Sequence, residues 1–362
     1  MTPIQRVGIL TAGGDAPGLN AVIRAVVLAA TRQHGWEVIG IREGFNGLLA
    51  RLPLITLDHR RVEHLLAQGG TILGAANRGN PFSRPIQHPD GTTDYLDVSH
   101  EALARLQEER LDALIVAGGD GTMSIAHKLV QMGAPIVGVP KTIDNDLDGT
   151  DVTFGFDTAL NTATDALAKL QTTAEAHHRV MVLEVMGRNA GWIALHTGIG
   201  GGADAILIPE IPYDIGVVCE KIRALRAEGR RYSLIVVAEG AAPIDGTQQY
   251  YQMSGDSAQS RLGGIGFAVG NAISTQVEAE VRVTVLGHIQ RGGSPTPRDR
   301  WLASCFGVAA VRLVADCKWG QMVALRGDSI TEVPMADAIR MKVVTPDHAL
   351  VSIARDLGIV FG

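Results

Sequence analysis

Aromatic side chains are scarce in this chain, at 4% of its residues. A core must therefore be filled by Ala, Val, Ile and Leu, and a hydrophobic content of 46% supplies enough of them for a sizeable one. Cysteine is scarcer still. Cys219, Cys305 and Cys317 are odd in number and far apart, which excludes a disulfide framework and any cysteine-based metal spacing. A reducing, cytoplasmic setting is the expectation. Excess positive charge is missing too: the formal net charge is −6 and no basic tract stands out, so nucleic acid is not expected as a partner. No apolar run is long enough to span a bilayer, and no membrane partner is expected. The first ten residues lead straight into a strand-like segment, without the apolar core and cleavage site of a signal peptide.

What is abundant is glycine, 43 residues, interleaved with short β-branched runs. With 362 residues, two domains are expected. Strand-like runs at Val7–Thr11, Glu37–Ile41, Ala113–Ala117, Ile136–Val139, Arg179–Val185, Ala205–Ile208, Ser233–Val237 and Arg282–Leu286 alternate with helical patterns. The helical patterns include Leu19–Thr31, Thr122–Met132 and Asp157–Ala174, the last with Asp157 as a candidate N-cap. Alternation of this kind predicts an α/β fold with mostly parallel sheets flanked by helices. Asn80–Ser99 and Gly240–Gly264 read as long loops. Tyr250 and Tyr251 within the second read as loop packing.

Polar and glycine-rich clusters recur just after the strand-like runs, where open α/β sheets bind ligands. Gly13-Gly14-Asp15 alone fits a tight strand-to-helix turn as well as a phosphate loop. Gly118-Gly119-Asp120-Gly121-Thr122 says more, because an acid stands between glycines. Backbone N–H groups there can approach phosphate oxygens. Asp120 is either a helix N-cap or a ligand of Mg²⁺, an ion that takes one or two carboxylates and completes its shell with phosphate oxygens. Pro140-Lys141-Thr142-Ile143-Asp144-Asn145-Asp146 follows the next strand. If this segment is extended, alternation places Thr142, Asp144 and Asp146 on one face. One carboxylate could then accept a proton from an attacking hydroxyl. The competing reading is an Asx-turn cluster. A phosphate cradle beside a carboxylate cluster is what magnesium-dependent phosphoryl transfer to a hydroxyl requires. Arg188, His288 and Arg291 follow later strands, and Arg179 and Arg282 stand at strand starts. Guanidinium groups in such places match phosphate bidentately.

In order and spacing these strings resemble the 6-phosphofructokinase family, in particular a bacterial-type subgroup that combines features of ATP and pyrophosphate users. They are Gly-Gly-Asp-Ala-Pro-Gly at 13–18, Gly-Gly-Asp-Gly-Thr at 118–122, Pro-Lys-Thr-Ile-Asp-Asn-Asp at 140–146, Met-Gly-Arg at 186–188, Pro-Glu at 209–210, Glu-Gly at 239–240 and Gly-His-Ile-Gln-Arg-Gly-Gly-Ser-Pro at 287–295. The second string alone also resembles lipid and NAD kinases. The resemblance implies a two-lobed phosphofructokinase-like fold with the active site in a cleft. Residues 1–155 with about 290–340 would bind the phosphoryl donor, and 156–289 with about 341–362 the sugar phosphate. It implies Asp144 as the base on the sugar 1-hydroxyl, Arg188 steadying the transferring phosphoryl, and Asp120 on Mg²⁺. Gly13, Gly14, Arg78, Gly119, Gly121, Thr122 and Lys141 would hold ATP, Arg78 being offset by one position from the expected arginine. Thr142, Asp146, Met186, Gly187, Glu239, His288 and Arg291 would join Asp144 and Arg188 on fructose 6-phosphate. Arg179 and Arg282 would reach a neighbouring subunit's site, which implies a homodimer or homotetramer with shared active sites.

The donor is where the chain departs from common patterns. By resemblance, ATP users usually carry Gly where Lys141 stands, and pyrophosphate users carry Lys there with Asp where Gly121 stands. This chain pairs Gly121 with Lys141. An Asp at 121 would crowd and repel the α-phosphate of ATP, so Gly121 favours ATP, while Lys141 keeps pyrophosphate as an alternative. The family's basic allosteric pocket is matched by Arg24 but not at Leu28, so nucleotide regulation is not expected. Two further classes compete. A non-catalytic sugar-phosphate-binding subunit would be expected to lose Asp120 or Asp144, and both are present. A dinucleotide-dependent dehydrogenase would need Gly-x-Gly-x-x-Gly after the first strand, and that string is absent there.

Overall fold

The computed structural model describes residues 3–76, 79–88, 90, 92–252 and 261–362. In chain order it runs β1 (Arg6–Thr11), α1 (Leu19–Ala29), β2 (Glu37–Ile41), α2 (Phe45–Leu49), β3 (Ile55–Leu57), α3 (His59–Val62), β4 (Arg84–Gln87), β5 (Thr93–Leu96), α4 (Ser99–Glu108), β6 (Ala113–Gly118), α5 (Asp120–Gln131), β7 (Ile136–Thr142) and β8 (Phe154–Gly155). It continues with α6 (Phe156–His177), β9 (Val180–Val185), α7 (Trp192–Gly201), β10 (Ala205–Leu207), α8 (Ile215–Ala227), β11 (Ser233–Ala238), β12 (Tyr250–Gln252), β13 (Arg261–Leu262), α9 (Ile265–Gln276) and β14 (Val281–Val285). The remainder is α10 (Pro297–Ala315), β15 (Gln321–Arg326), β16 (Ser329–Pro334), α11 (Met335–Ala338) and α12 (Ala349–Asp356). Every strand expected from sequence is present, with bounds within one residue except for β7, which runs three residues past Val139 to Thr142.

The chain divides into two compact units. The first comprises 1–142, 147–157 and 291–341, and the second 143–146, 158–290 and 342–362. The first is built on the sheet order β16-β15-β7-β6-β1-β2-β3, with β8 paired to β7. Its inner strands are parallel, and the edge strands β3 and β16 are antiparallel to their neighbours. Strands β6 and β7 are buried along their whole length, as strands covered on both faces must be. Residues of α1 and α10 form a core with one set of strand residues, and those of α4 and α5 with the alternate set. The central strand β1 lies between β2 and β6, and each of these three strands feeds a helix or turn at its carboxyl end. The loops after β1 and β6 therefore lead to helices on opposite faces, and the crevice between such loops is where doubly wound sheets bind ligands.

The second unit holds an all-parallel sheet in the order β10-β11-β9-β14. Val218, Cys219 and Ile222 from α8, with Ile265, Val269 and Ile273 from α9, pack on Val180, Val182, Ile235 and Val237. The carboxyl-terminal stretch belongs to this unit: Val360 bridges to Ala205, and the indole N–H of Trp192 donates to the Lys342 carbonyl at 2.9 Å. Among the described residues, no helix is long and apolar enough to cross a membrane.

Three local expectations change. Asn80–Ser99 is not simply a loop, because β4 and β5 pair antiparallel within it. Gly240–Gly264 likewise carries the β12–β13 ribbon, with 253–260 outside the described residues. Tyr250 donates its hydroxyl to Gln248 Oε1 at 3.0 Å, and the Tyr251 side chain lies outside what is described. Asp157 does not cap α6, which starts one residue earlier; its Oδ2 accepts from the Thr296 hydroxyl at 2.6 Å.

Candidate active site

In the first unit, β1 ends at Thr11 and the chain turns through Gly13, whose φ of 76° lies in the left-handed region that favours glycine. Beside it, β6 ends at Gly118. A Cβ at Gly118 would lie 2.3 Å from the Thr122 Cβ, so the tight return of this loop onto the first turn of α5 requires glycine there. Gly119 is the N-cap of α5, and Asp120 is its first helical residue. Asp120 therefore does not cap the helix. It stands exposed at the positive end of the helix dipole, where anions are favoured. Gly121 is also exposed, and a Cβ there would meet nothing within 4 Å.

Lys141, on β7, is only 3% exposed and donates its Nζ to the Gly14 carbonyl. A Cβ placed on Gly13 would stand 3.5 Å from both Lys141 Nζ and Thr122 Oγ1. Arg291 donates to the Asp15 carbonyl at 3.1 Å, and its Nη1 would lie 2.7 Å from a Cβ on Gly14. Gly13, Gly14, Thr122, Lys141 and Arg291 thus come together in one unit, with two cations and no carboxylate among them. Arg291, expected from the sequence on the sugar phosphate, stands beside Gly14. Arg78 lies outside the described residues.

The segment after β7 corrects one expectation. The strand stops at Thr142, the chain bends at 143–144, and Asn145 then has φ 54°. Alternation therefore does not set the directions of Thr142, Asp144 and Asp146. Asparagine tolerates this backbone because its side chain can satisfy local groups. All three residues are nonetheless 8% exposed, so the acids are held in largely enclosed surroundings. The Thr142 carbonyl accepts from the Thr153 hydroxyl at 2.8 Å, and the Asp146 carbonyl accepts from the Lys342 N–H at 2.8 Å.

In the second unit, Met186-Gly187-Arg188 follows β9 in an unusual conformation, with φ 142° at Gly187 and 49° at Arg188. A positive φ at arginine is uncommon and must be imposed by its neighbours. Glu239 Oε1 accepts from the Arg188 N–H at 3.1 Å, and a Cβ on Gly240 would fall 1.9 Å from the Arg188 carbonyl oxygen. Glu239, expected on the sugar, thus braces the arginine loop with one oxygen. His288 is exposed on the short turn Gly287–Arg291. Arg179 and Arg282 share Glu280: Arg179 Nε donates to Oε2 at 2.8 Å, and Arg282 Nη2 donates to Oε1. The hydrogen bond from Arg179 is the chief cause holding the Glu280 carboxyl below its ordinary range.

Three acids and an amide were given no role from the sequence, although Glu210 and Gln290 stand within the strings at 209–210 and 287–295. Glu184, in the middle of β9 and 2% exposed, accepts from the Gly264 and Gly266 N–H groups at 3.1 and 2.8 Å, fixing the start of α9. A charged residue inside the apolar run Val180–Val185 is the signal that could have found it. Glu210 accepts from Gly191 N at 2.9 Å and Val344 N at 2.9 Å, and burial pushes its carboxyl above the usual range. Glu280 carries no comparable sequence signal, whereas Glu210 and Gln290 could have been found as the unassigned members of the strings at 209–210 and 287–295.

Among the described residues no group of three or more His, Cys, Asp or Glu could hold a metal by itself. Magnesium does not need such a group when a substrate supplies phosphate oxygens. The exposed Asp120 carboxylate at the mouth of a glycine loop fits that requirement.

The phosphofructokinase family model matches residues 6–314. The chain belongs to the phosphofructokinase family. An ATP-dependent 6-phosphofructokinase from Chloroflexus aggregans is 54% identical over 359 residues, covering 99% of this chain and 98% of its own length. The ATP-dependent 6-phosphofructokinase 1 of a Synechocystis strain is 51% identical, covering 100% and 99%. Among solved structures, the phosphofructokinase of Saccharomyces cerevisiae superposes with a TM-score of 0.75 at 30% identity. It is matched over 98% of this chain, which spans only 46% of the yeast chain. A pyrophosphate-dependent phosphofructokinase from Marinobacter aquaeolei has a TM-score of 0.80 at 22% identity, covering 99% of this chain and 89% of its own, and shares the fold. The α/β phosphofructokinase fold is thus the fold of this chain.

Proposed function

We propose that this phosphofructokinase-family chain transfers the terminal phosphoryl group of ATP to the 1-hydroxyl of fructose 6-phosphate, giving fructose 1,6-bisphosphate. One observation carries the reading: the likeness to curated ATP-dependent 6-phosphofructokinases runs at 54% identity over practically the whole length of both chains. The open space at Gly121 supports the nucleotide as donor, since nothing crowds the phosphates there.

In this reading Gly13, Gly14, Gly119, Gly121, Thr122 and Lys141, with Arg78, hold the donor. Asp120 holds Mg²⁺, which when bound offsets charge on the phosphoryl oxygens. Asp144 takes the proton of the 1-hydroxyl as that oxygen attacks the γ-phosphorus. The bond to the β-phosphate oxygen breaks in line, ADP leaves, and the proton stays on Asp144. Arg188 offsets the charge developing on the transferring group. Thr142, Asp146, Met186, Gly187, Glu239, His288 and Arg291 orient the sugar phosphate. Arg179 and Arg282, held side by side by Glu280, serve a neighbouring subunit's site in a cytosolic homodimer or homotetramer.

A single observation favours a second donor. Lys141 Nζ stands at the glycine turn, where it could grip the outer phosphate of pyrophosphate as readily as that of ATP. Coupled assays of fructose 1,6-bisphosphate formation with each donor separate the two. Turnover with ATP is expected, and turnover with pyrophosphate alone would overturn the choice of donor.

A further inference from the structure

We infer that Gln290 is a positioning residue that sets the Met186–Arg188 loop for sugar-phosphate binding. The inference rests on the assignment of that loop to fructose 6-phosphate made above. Gln290 is 0% exposed, yet its amide carries two donors and an acceptor oxygen. Burying such a group is unfavourable unless it is hydrogen-bonded. The Met186 N–H donates to its Oε1 at 2.8 Å, which fixes the orientation of the amide, because only the oxygen can accept. The Nε2 then faces the Ala159 carbonyl on α6 in a long contact of 3.5 Å.

The place of this bond gives it a role. Met186 is the first residue beyond β9, and its N–H is taken by a side chain just where the strand ladder ends. The next two residues hold the positive φ values of Gly187 and Arg188. The loop is thus clamped at both ends, by Gln290 on Met186 and by Glu239 on Arg188. Gln290 also stands on the turn that presents His288, two residues earlier, and Arg291, one residue later. One buried amide therefore ties the arginine loop to the histidine turn and to α6. Glu184, on the same strand, clamps α9 instead and serves as a comparison.

The test is steady-state kinetics of the full chain with ATP and fructose 6-phosphate. Gln290→Met keeps the length of the side chain but removes the acceptor. It is expected to raise the KM for fructose 6-phosphate roughly 10- to 10²-fold, as small misplacements of a binding group do, with the KM for ATP within about twofold. Gln290→Glu keeps an oxygen for the Met186 N–H, and is expected to hold the KM for fructose 6-phosphate within about threefold even where its melting temperature falls. Should Gln290→Met fail to fold, Gln290→Asn, one methylene shorter, withdraws the amide from Met186 and is read in the same way. Three results overturn the inference: an unchanged KM for fructose 6-phosphate, a parallel rise for both substrates, or a glutamate variant as impaired as the methionine one. Arg188→Ala separates this failure from failure of the site assignment. If that variant also leaves the KM for fructose 6-phosphate unchanged, the loop is not the sugar site; if it raises it while Gln290→Met does not, only the role of Gln290 is lost.

Discussion

Replacing Asp144 by Asn is expected to lower kcat by at least ~10²-fold, the lower end of what general-base help contributes, while the KM for fructose 6-phosphate changes little. The substitution preserves shape, so the enclosed site, 8% exposed at Asp144, need not rearrange. What is lost is the ability to take a proton. An alcohol attacking phosphorus must shed its proton, and at neutral pH a carboxylate can receive it where an amide cannot. Asp144→Ser should lose activity to a similar extent. A variant with near-wild-type kcat would remove Asp144 from this role and leave phosphoryl transfer to positioning and charge alone.

Gly121→Asp should be the other severe substitution, and its effect should fall on the donor. The position faces open space and the backbone there is not in the left-handed region, so a side chain enters without steric strain. Gly121→Ala is accordingly expected to stay within about 0.5 kcal/mol of the parent in stability, as exposed substitutions usually do. The aspartate adds a negative charge beside the phosphates that the glycine loop is proposed to hold. We expect kcat/KM for ATP to fall on the order of 10²-fold, equivalent to about 2.7 kcal/mol, with the KM for fructose 6-phosphate nearly unchanged. Measuring both variants with both substrates checks it. An alanine variant as impaired as the aspartate one would assign the effect to shape rather than charge.

Much of this architecture was legible in the sequence because buried parallel strands leave a plain mark. The runs Ala113–Ala117 and Ile136–Val139 are apolar throughout, and both are inner strands of the sheet. The glycine clusters after them were equally legible, since only glycine allows the close return seen at Gly118. The ribbons β4–β5 and β12–β13 were missed because their strands are short and lie in polar, turn-rich stretches. The turn at Asn145 was only the competing reading, because one residue with positive φ breaks an alternation that composition alone cannot reveal. The clamps on the arginine loop escaped for another reason. Glu239 was chosen for the sugar and Gln290 not at all, yet both act through backbone N–H groups of Met186 and Arg188, and those contacts depend on tertiary placement. The position of Arg291 beside Gly14, 277 residues earlier in the chain, is likewise a product of topology.

The central claim is that Asp120 and Asp144 serve a single phosphoryl transfer, one through the metal and the other through the attacking hydroxyl. A crystal structure with Mg²⁺, a non-hydrolysable ATP analogue and fructose 6-phosphate tests it most directly. The account predicts the Asp144 carboxylate within roughly 2.6–3.2 Å of the sugar 1-hydroxyl oxygen. It also predicts Asp120 bound to the same Mg²⁺ that contacts the γ-phosphate, directly at about 2.0–2.1 Å or through one of its waters. Asp144 turned away from the 1-hydroxyl, or Asp120 remote from the metal, would contradict it.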